Sequence, residues 1–551
     1  MRRRAMSRGA KVAAVVAVAA AVAAAGCGKS ADSSSTAQTS ESALQGLSAT
    51  TPAATKDVDK VTWALYRGTS TVDPIYAFDY PDNSVLSVMC DSLLRQQPDG
   101  DLTPAVASSV EYTDPKTLVI TLRDGVKFWD GTPVTPEDVA FSIDRQRDPR
   151  NGGLYIPTMN RIASISPTGA DKVTIKFTKP DYLLRGELSS APGVVTSKKV
   201  VLEQGGKYGT PGGSIMCTGP YKLKSWSGDT LSVVANPDYW DTTLQPRTKE
   251  IDFKGVPDEA ALTAGLQTGE IAGTYATSLT SLDQLRSSGK VDIHTGPSFI
   301  SDALIVSSLR GALADARVRQ AISLALDRKG VIDTTYHGLA QYPRAIANPG
   351  TWGAGRAVYQ AAWDKREPFT TDISAAKRLV QEAGAGGKTI VLGMSSEIKS
   401  IAIESNVLRS AAEAIGMKVR LKAVSAANYI SFFVDPKARE GVDGFFTLNY
   451  PDWADPAGLY NSFASPEGVQ NYSGYNNPKV TSLLEKARST KDPEARAKVT
   501  VQAEEILNRD LPWIPVVQPD NELVMGKDLT GVPASFSYMN APWAASLGGK
   551  G

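Results

Sequence analysis

The chain is expected to fold as a mixed α/β protein of two or more lobes, and three observations carry that expectation. Strand-like alternation and helix-like periodicity intermingle along its length, no internal repeat divides it, and 525 residues remain once the first 26 are removed from 551. That length exceeds what one ordinary core encloses.

The N-terminal segment states an address. Residues 1–26 carry Arg2, Arg3, Arg4, Arg8 and Lys11, then a run of Ala and Val over 12–25 that is too short to span a bilayer as a stable helix. It reads as a signal peptide. Ala24, Ala25 and Gly26 before Cys27 resemble a bacterial lipobox, in which the cysteine thiol receives diacylglycerol; the departure is Ala24, where the pattern usually has a larger aliphatic. The alternative is ordinary secretory cleavage nearby, with Cys27 an incidental thiol. Residues 27–56 are rich in Ser, Thr and Ala with few large apolar side chains, so they are expected to form a flexible tether, lipid-anchored through Cys27. No later stretch is apolar for 18 residues. A body on the outer face of the bacterial cell membrane follows.

Charge and ligand-forming residues exclude several classes. Five basic residues leave with the signal, so 54 Lys plus Arg face 58 Asp plus Glu in the remainder, a formal charge of about −4. Nucleic acid is therefore not an expected partner. His294 and His337 are too few and too isolated for a His-rich metal site, and neither a metal nor a cofactor is expected. Cys90 and Cys217 remain after Cys27 is assigned to lipid; an exported pair is more often bridged than free, and the alternative is two buried thiols.

Individual elements follow from spacing. Leu118, Ile120 and Leu122 alternate as a half-buried strand, as do Val173, Ile175 and Phe177 with Lys172, Thr174 and Lys176 on the other face. Thr135, Pro136 and Asp138 mark a helix start, with Thr135 at the N-cap. Val318, Ala321, Ile322, Ala325 and Leu326 define an amphipathic helix, and Val480, Leu483, Leu484 and Ala487 another. Glycines in 205–213 and 384–387 mark loops. GAGGKT at 384–389 fails as a phosphate loop, because the first glycine of that motif would fall on Glu382, and it reads as a glycine turn ending a helix. There is no GxSxG elbow, so hydrolysis has no positive support.

Longer blocks resemble one family across nearly the whole body. DGDLTPAVA at 99–107 and LRDGVKFWDGTPVTPEDV at 122–139, followed by TGPYKL at 218–223, NPDYW at 236–240, GEI at 269–271 and VRQAISLALD at 318–327, resemble the family 5 solute-binding proteins of ABC importers, the oligopeptide- and dipeptide-binding group. The resemblance implies an α/β, two-lobed periplasmic-binding-protein-like fold with an extra subdomain and a hinge between lobes. It places 57–102, 213–296 and 517–551 in lobe 1, 103–212 in a subdomain packed on it, and 297–516 in lobe 2. It implies capture without chemistry: a monomer binds a peptide ligand and delivers it to an ABC permease and ATPase complex.

The same resemblance implies the site. Peptides in this family are held largely through their main chain, with Gly68 and Thr69 on the cleft edge of the first lobe and Leu448, Asn449 and Tyr450 facing them. YPDWADP at 450–456 matches an acidic-aromatic-x-acidic-Pro pattern whose first acid, here Asp452, pairs with the α-ammonium of a peptide. The alternatives stay open: Tyr450 and Trp453 could be core residues, and Asp452 or Asp455 could cap a turn before Pro456 or pair with a basic residue. A non-peptide solute such as an oligosaccharide, metal chelate or opine-like molecule is the alternative ligand. A surface sensor lipoprotein without transport is the alternative function.

Overall fold

Residues 47–276 and 280–551 are described in the computed structural model. Three sheets with separate apolar cores organise them.

The first sheet has seven strands, in the order Val291–Gly296, Asn521–Gly526, Gly273–Ala276, Val58–Leu65, Thr248–Gly255, Thr230–Ala235 and Tyr221–Ser227. Val58–Leu65 is parallel to both neighbours and the other pairs are antiparallel. The second has six, in the order Ala340–Gln341, Trp513–Pro519, Ser301–Val306, Gly444–Asn449, Thr389–Met394 and Lys418–Ala423. The third is antiparallel, in the order Ala107–Asp114, Thr117–Leu122, Lys172–Phe177 and Ile162–Pro167.

Period-two patterning explains the third sheet. Leu118, Ile120, Leu122, Val173, Ile175 and Phe177 are all buried in its core. Helix Pro136–Arg147 covers that core and starts with a full capping box: Asp138 N donates to Thr135 Oγ1 and Thr135 N donates to the Asp138 carboxylate. In the second lobe, helix Ala316–Ala325 buries Val318, Ala321, Ile322 and Ala325, and helix Pro478–Arg488 buries Val480, Leu484 and Ala487. Helix Ile373–Glu382 ends where Gly384 takes φ of 57°, so the glycine-rich segment before strand Thr389–Met394 is a helix stop.

The chain passes from the first large sheet to the second through residues 297–300 and returns at Asp520. The lobe boundary expected between 516 and 517 therefore needs correction. It would cut strand Trp513–Pro519, whose ladder continues to Pro519 through its pairing with Ala340. The tether expected over 27–56 is also too long. Residues 47–56 lie on the first lobe: Thr51 N donates to Val532 O, Ala534 N donates to Ala49 O, and Lys56 bridges Gly549. Thr51 and Ala54 are buried, which a solvated linker would not be. Cys27 and the signal-like segment lie outside the described residues.

Cys90, at the end of helix Tyr80–Met89, is disulfide-bonded to Cys217 across a separation of 127 residues, with Cα atoms 4.9 Å apart. The bridge ties that helix to the segment entering strand Tyr221–Ser227. Among the described residues, no helix is long and apolar enough to cross a membrane.

Candidate functional site

A cavity of about 1740 Å³ lies between the lobes, with walls from both large sheets and from the subdomain. Binding sites are typically concave, mostly apolar and furnished with a few convergent polar groups. Here the apolar share combines aliphatic side chains with a set of aromatic ones, among them Tyr80, Tyr155, Tyr275, Tyr429, Tyr450 and Trp453.

The segment following strand Gly444–Asn449 forms one wall. That strand pairs along its length with Ser301–Val306, but on its other side Thr389–Met394 reaches only Gly444 and Phe445. Residues 446–449 thus present an open strand edge, and they line the cavity. Asn449 accepts from Gln470 Nε2 at 2.9 Å, while its own buried Nδ2 finds no acceptor in the described residues.

Next comes the run 450–456, in which each polar group has a distinct task. The Tyr450 hydroxyl donates to Phe78 O across the cleft at 2.7 Å, and its ring packs on Tyr80 and Phe536 with centroids 4.8 and 4.9 Å away. In the opposite direction, the Tyr80 hydroxyl donates to Leu448 O at 2.9 Å. Asp452 O accepts from Gln96 Nε2 at 2.6 Å and Asn540 Nδ2 at 2.9 Å, both from the first lobe. Its backbone is thus pinned while its half-buried carboxyl lines the cavity. Among the described residues no basic side chain acts on that carboxyl, and burial pushes it up to about 6.

Asp455 differs. It caps helix Pro456–Ala464 by accepting from Ala457 N at 2.7 Å, and its other oxygen meets Arg496 Nε at 3.2 Å. Burial raises its carboxyl, while Arg496 acts against that rise. The turn-capping and ion-pairing role thus belongs to Asp455, the residue adjoining Pro456.

Trp453 projects from this run onto the short helix Leu184–Glu187 of the subdomain. Gly186 permits the contact, since a Cβ there would fall 2.0 Å from the indole ring. The indole Nε1 donates to Glu187 Oε1 at 3.2 Å. Glu187 is buried and its Oε2 has no hydrogen-bond partner in the described residues. Burial, then the charge of Asp452, hold its carboxyl well above the usual carboxylate range.

Farther along the subdomain wall, Arg488 pairs with Asp181 at 2.6 Å and Arg161 pairs with Glu485. On another stretch of rim, Lys399 meets Glu259 at 2.9 Å. These pairs close the lobes around the cavity.

Leu448, Asn449, Tyr450, Asp452 and Trp453 line one cavity. Gly68 and Thr69 do not line it. Tyr66 and Arg67 do, because the chain turns inward after them: Gly68 packs against Asp229 and Gly255, and Thr69 is buried. Arg67 bonds Asp79 at 2.8 Å and Asp82 at 3.0 Å, fixing that corner. Sequence reasoning missed Glu187, Asp181 and Arg488. The usable signal at Glu187 was an acid set between Leu183, Leu184 and Leu188, a run otherwise bound for the interior.

This geometry, two lobes around a large cavity with a few charged anchors, is that of a solute-binding receptor. Residues 101–471, more than half of the chain, match the family model for bacterial extracellular solute-binding proteins, family 5, and the chain belongs to that family. The glutathione-binding protein GsiB of Escherichia coli (strain K12) is 25% identical over 511 residues, which cover 90% of this chain and 96% of that protein. Among solved structures, the ABC transporter-associated periplasmic binding protein DppA from Helicobacter pylori, in complex with peptide STSA, is similar with a TM-score of 0.79 at 21% identity, covering 90% of this chain and 99% of that one. AgaA from A.tumefacien R10, in complex with agropinic acid, is similar with a TM-score of 0.78 at 20% identity, covering 89% of this chain and 99% of that one. The chain is thus an extracellular solute-binding protein, a member of a family of receptors rather than catalysts.

Proposed function

We propose that this receptor captures peptides through their main chain and free α-amine and delivers them to a membrane permease and ATPase complex of an ABC importer. The observation that carries the reading is Asp452: an acid raised by burial, held by its backbone at the cavity wall, with no basic side chain among the described residues acting on it. A carboxylate in a water-poor cleft attracts an ammonium more strongly than one at a surface, and only a ligand bearing a cation offsets its desolvation. The open edge at 446–449 adds main-chain donors and acceptors to which an extended peptide can pair irrespective of side-chain identity. DppA with its bound peptide and glutathione-binding GsiB favour the same class of ligand.

Closure would turn on the crossover segments 297–300 and Asp520, with the receptor acting as a monomer. Tyr450 and Trp453 serve this reading as walls that set the shape of the cleft, and Leu448 and Asn449 as its strand edge. Gly68 and Thr69 contribute from behind the lining, by supporting Arg67. Cys27, lipidated, would tether the body to the outer face of the membrane. Metabolic labelling with a fatty-acid analogue tests the anchor: the wild type is labelled, and a Cys27→Ala protein that remains labelled and membrane-bound would refute it. Native mass spectrometry of purified protein tests the ligand class. A co-purified mass matching short peptides is expected, and an opine-like or carbohydrate mass would replace the peptide reading.

A further inference from the structure

Asp452 does not stand alone in the cleft. Glu187, from the subdomain, lines the same cavity and is 8% exposed. Its Oε1 is taken by the Trp453 indole N–H, while its Oε2 is buried with no donor to satisfy it among the described residues. An orphaned buried carboxylate oxygen is costly and calls for a partner. The groups facing the two acids do not supply one. Arg488 is near enough to favour a charge on Glu187, but its Nη2 is committed to Asp181 at 2.6 Å and to Thr158 O at 2.9 Å, its buried Nε bonds neither acid among the described residues, and Asp181 itself opposes that charge. Tyr155 and Tyr450, which face Asp452, are uncharged, and the Tyr155 hydroxyl donates to Ala77 O.

Resting on the peptide reading above, we propose that Glu187 and Asp452 form a two-carboxyl socket for the terminal ammonium of the ligand, and that the ammonium displaces a proton which the two acids otherwise share. Two facing carboxylates without a cation cannot both ionise cheaply, so near neutrality the pair retains one proton. Burial raises both acids, and the charge of Asp452 raises Glu187 further, consistent with that proton. An ammonium has three N–H donors. One would reach Asp452 and a second Glu187 Oε2, and the shared proton would pass to solvent. Glu187 thereby demands a primary, fully protonated amine, and makes capture pH-linked: binding tightens as pH rises through about 6, where Asp452 loses its proton, and on through the higher range in which Glu187 loses its own, while the α-amine stays charged up to roughly 8.

The test is calorimetry of the wild type against a pool of free-amine alanine peptides of two to five residues and glutathione, near pH 6, in phosphate and in imidazole buffers, whose ionisation enthalpies differ. The observed heats are expected to differ by an amount equivalent to a sizeable fraction of one proton released per peptide bound. This measurement needs no variant. Glu187→Gln keeps an acceptor for Trp453 but turns an N–H₂ toward the ammonium, so it should weaken binding by about ten- to a hundredfold and reduce proton release to the share that Asp452 alone supplies. Buffer-independent heats, or a folded Glu187→Gln protein binding within about twofold of wild type, would overturn the socket while leaving the peptide reading intact. If the wild type bound no member of the pool, the peptide reading would fall and the assigned ammonium with it.

Discussion

Two pairs of acids lie buried against each other in this molecule, and only one pair meets the cleft. Asp302 and Glu404 sit inside the second lobe, on strand Ser301–Val306 and helix Lys399–Ala414, at 0% and 2% exposure. The Tyr336 hydroxyl donates to Asp302 Oδ2 at 3.0 Å. The facing oxygens, Asp302 Oδ1 and Glu404 Oε1, find no donor among the described residues, so a proton held between the two carboxyls is what joins them. Asp452 and Glu187 share the same electrostatic predicament but come from two different parts of the fold, and they line the cavity. Burial raises the acids in both places. What separates the two pairs is that Asp452 and Glu187 line the cavity and come from different parts of the fold, whereas Asp302 and Glu404 are sealed inside one lobe.

The largest expected effect sharpens that contrast within one loop. Asp455→Ala leaves the Arg496 charge buried and removes the cap of helix Pro456–Ala464, so denaturant unfolding should show a loss of about 3–5 kcal/mol. Asp452→Ala breaks no ion pair and should leave stability nearly unchanged. Equal losses from the two would erase the distinction between them.

A smaller effect is expected at the sealed pair. Asp302 is raised from 3.8 to about 7 in the folded chain, so the folded state holds more protons than the unfolded one over that range. Stability is therefore full at the acid end of the range and falls as pH rises from about 4 to about 7, then levels off. The melting temperature of wild type should drop by about a few degrees over that range, and Asp302→Asn should flatten the slope. A wild-type slope of opposite sign would show that the pair is ionised in the fold.

Smaller again is Gly186→Ala. Its Cβ would displace the Trp453 ring, costing about 1–3 kcal/mol of stability and loosening the indole bond to Glu187. Thermal melts and peptide titration of the same variant check both consequences, and an unaltered melt would mean that the ring moves aside freely.

Much of this was legible from the sequence where local chemistry decides. The capping box at Thr135, the alternating strands of the subdomain and the cysteine pair each depend on a residue type at a short or chemically marked spacing. The run 450–456 was marked as acidic and aromatic, yet the separate tasks of Asp452 and Asp455 were not readable, because Arg496 reaches the loop from 41 residues away in sequence. Glu187 carried only the weak signal of an acid in an apolar run, and its task was unreadable for the same reason, its Trp453 partner being 266 residues away. Gly68 and Thr69 show the converse limit. A resemblance places a segment near the cleft, but which residues of it face inward is set by how the chain turns against Asp229 and Gly255.

The central claim is that Asp452 reads the free amine of a peptide. It is tested most directly by calorimetry of one peptide that binds wild type, used free and N-acetylated, against wild type and Asp452→Asn. Acetylation and the substitution should each weaken binding by about 2–5 kcal/mol, and together should cost little more than either alone, since both remove the same charge pair. Equal affinity of wild type for the free and the acetylated peptide would contradict the account.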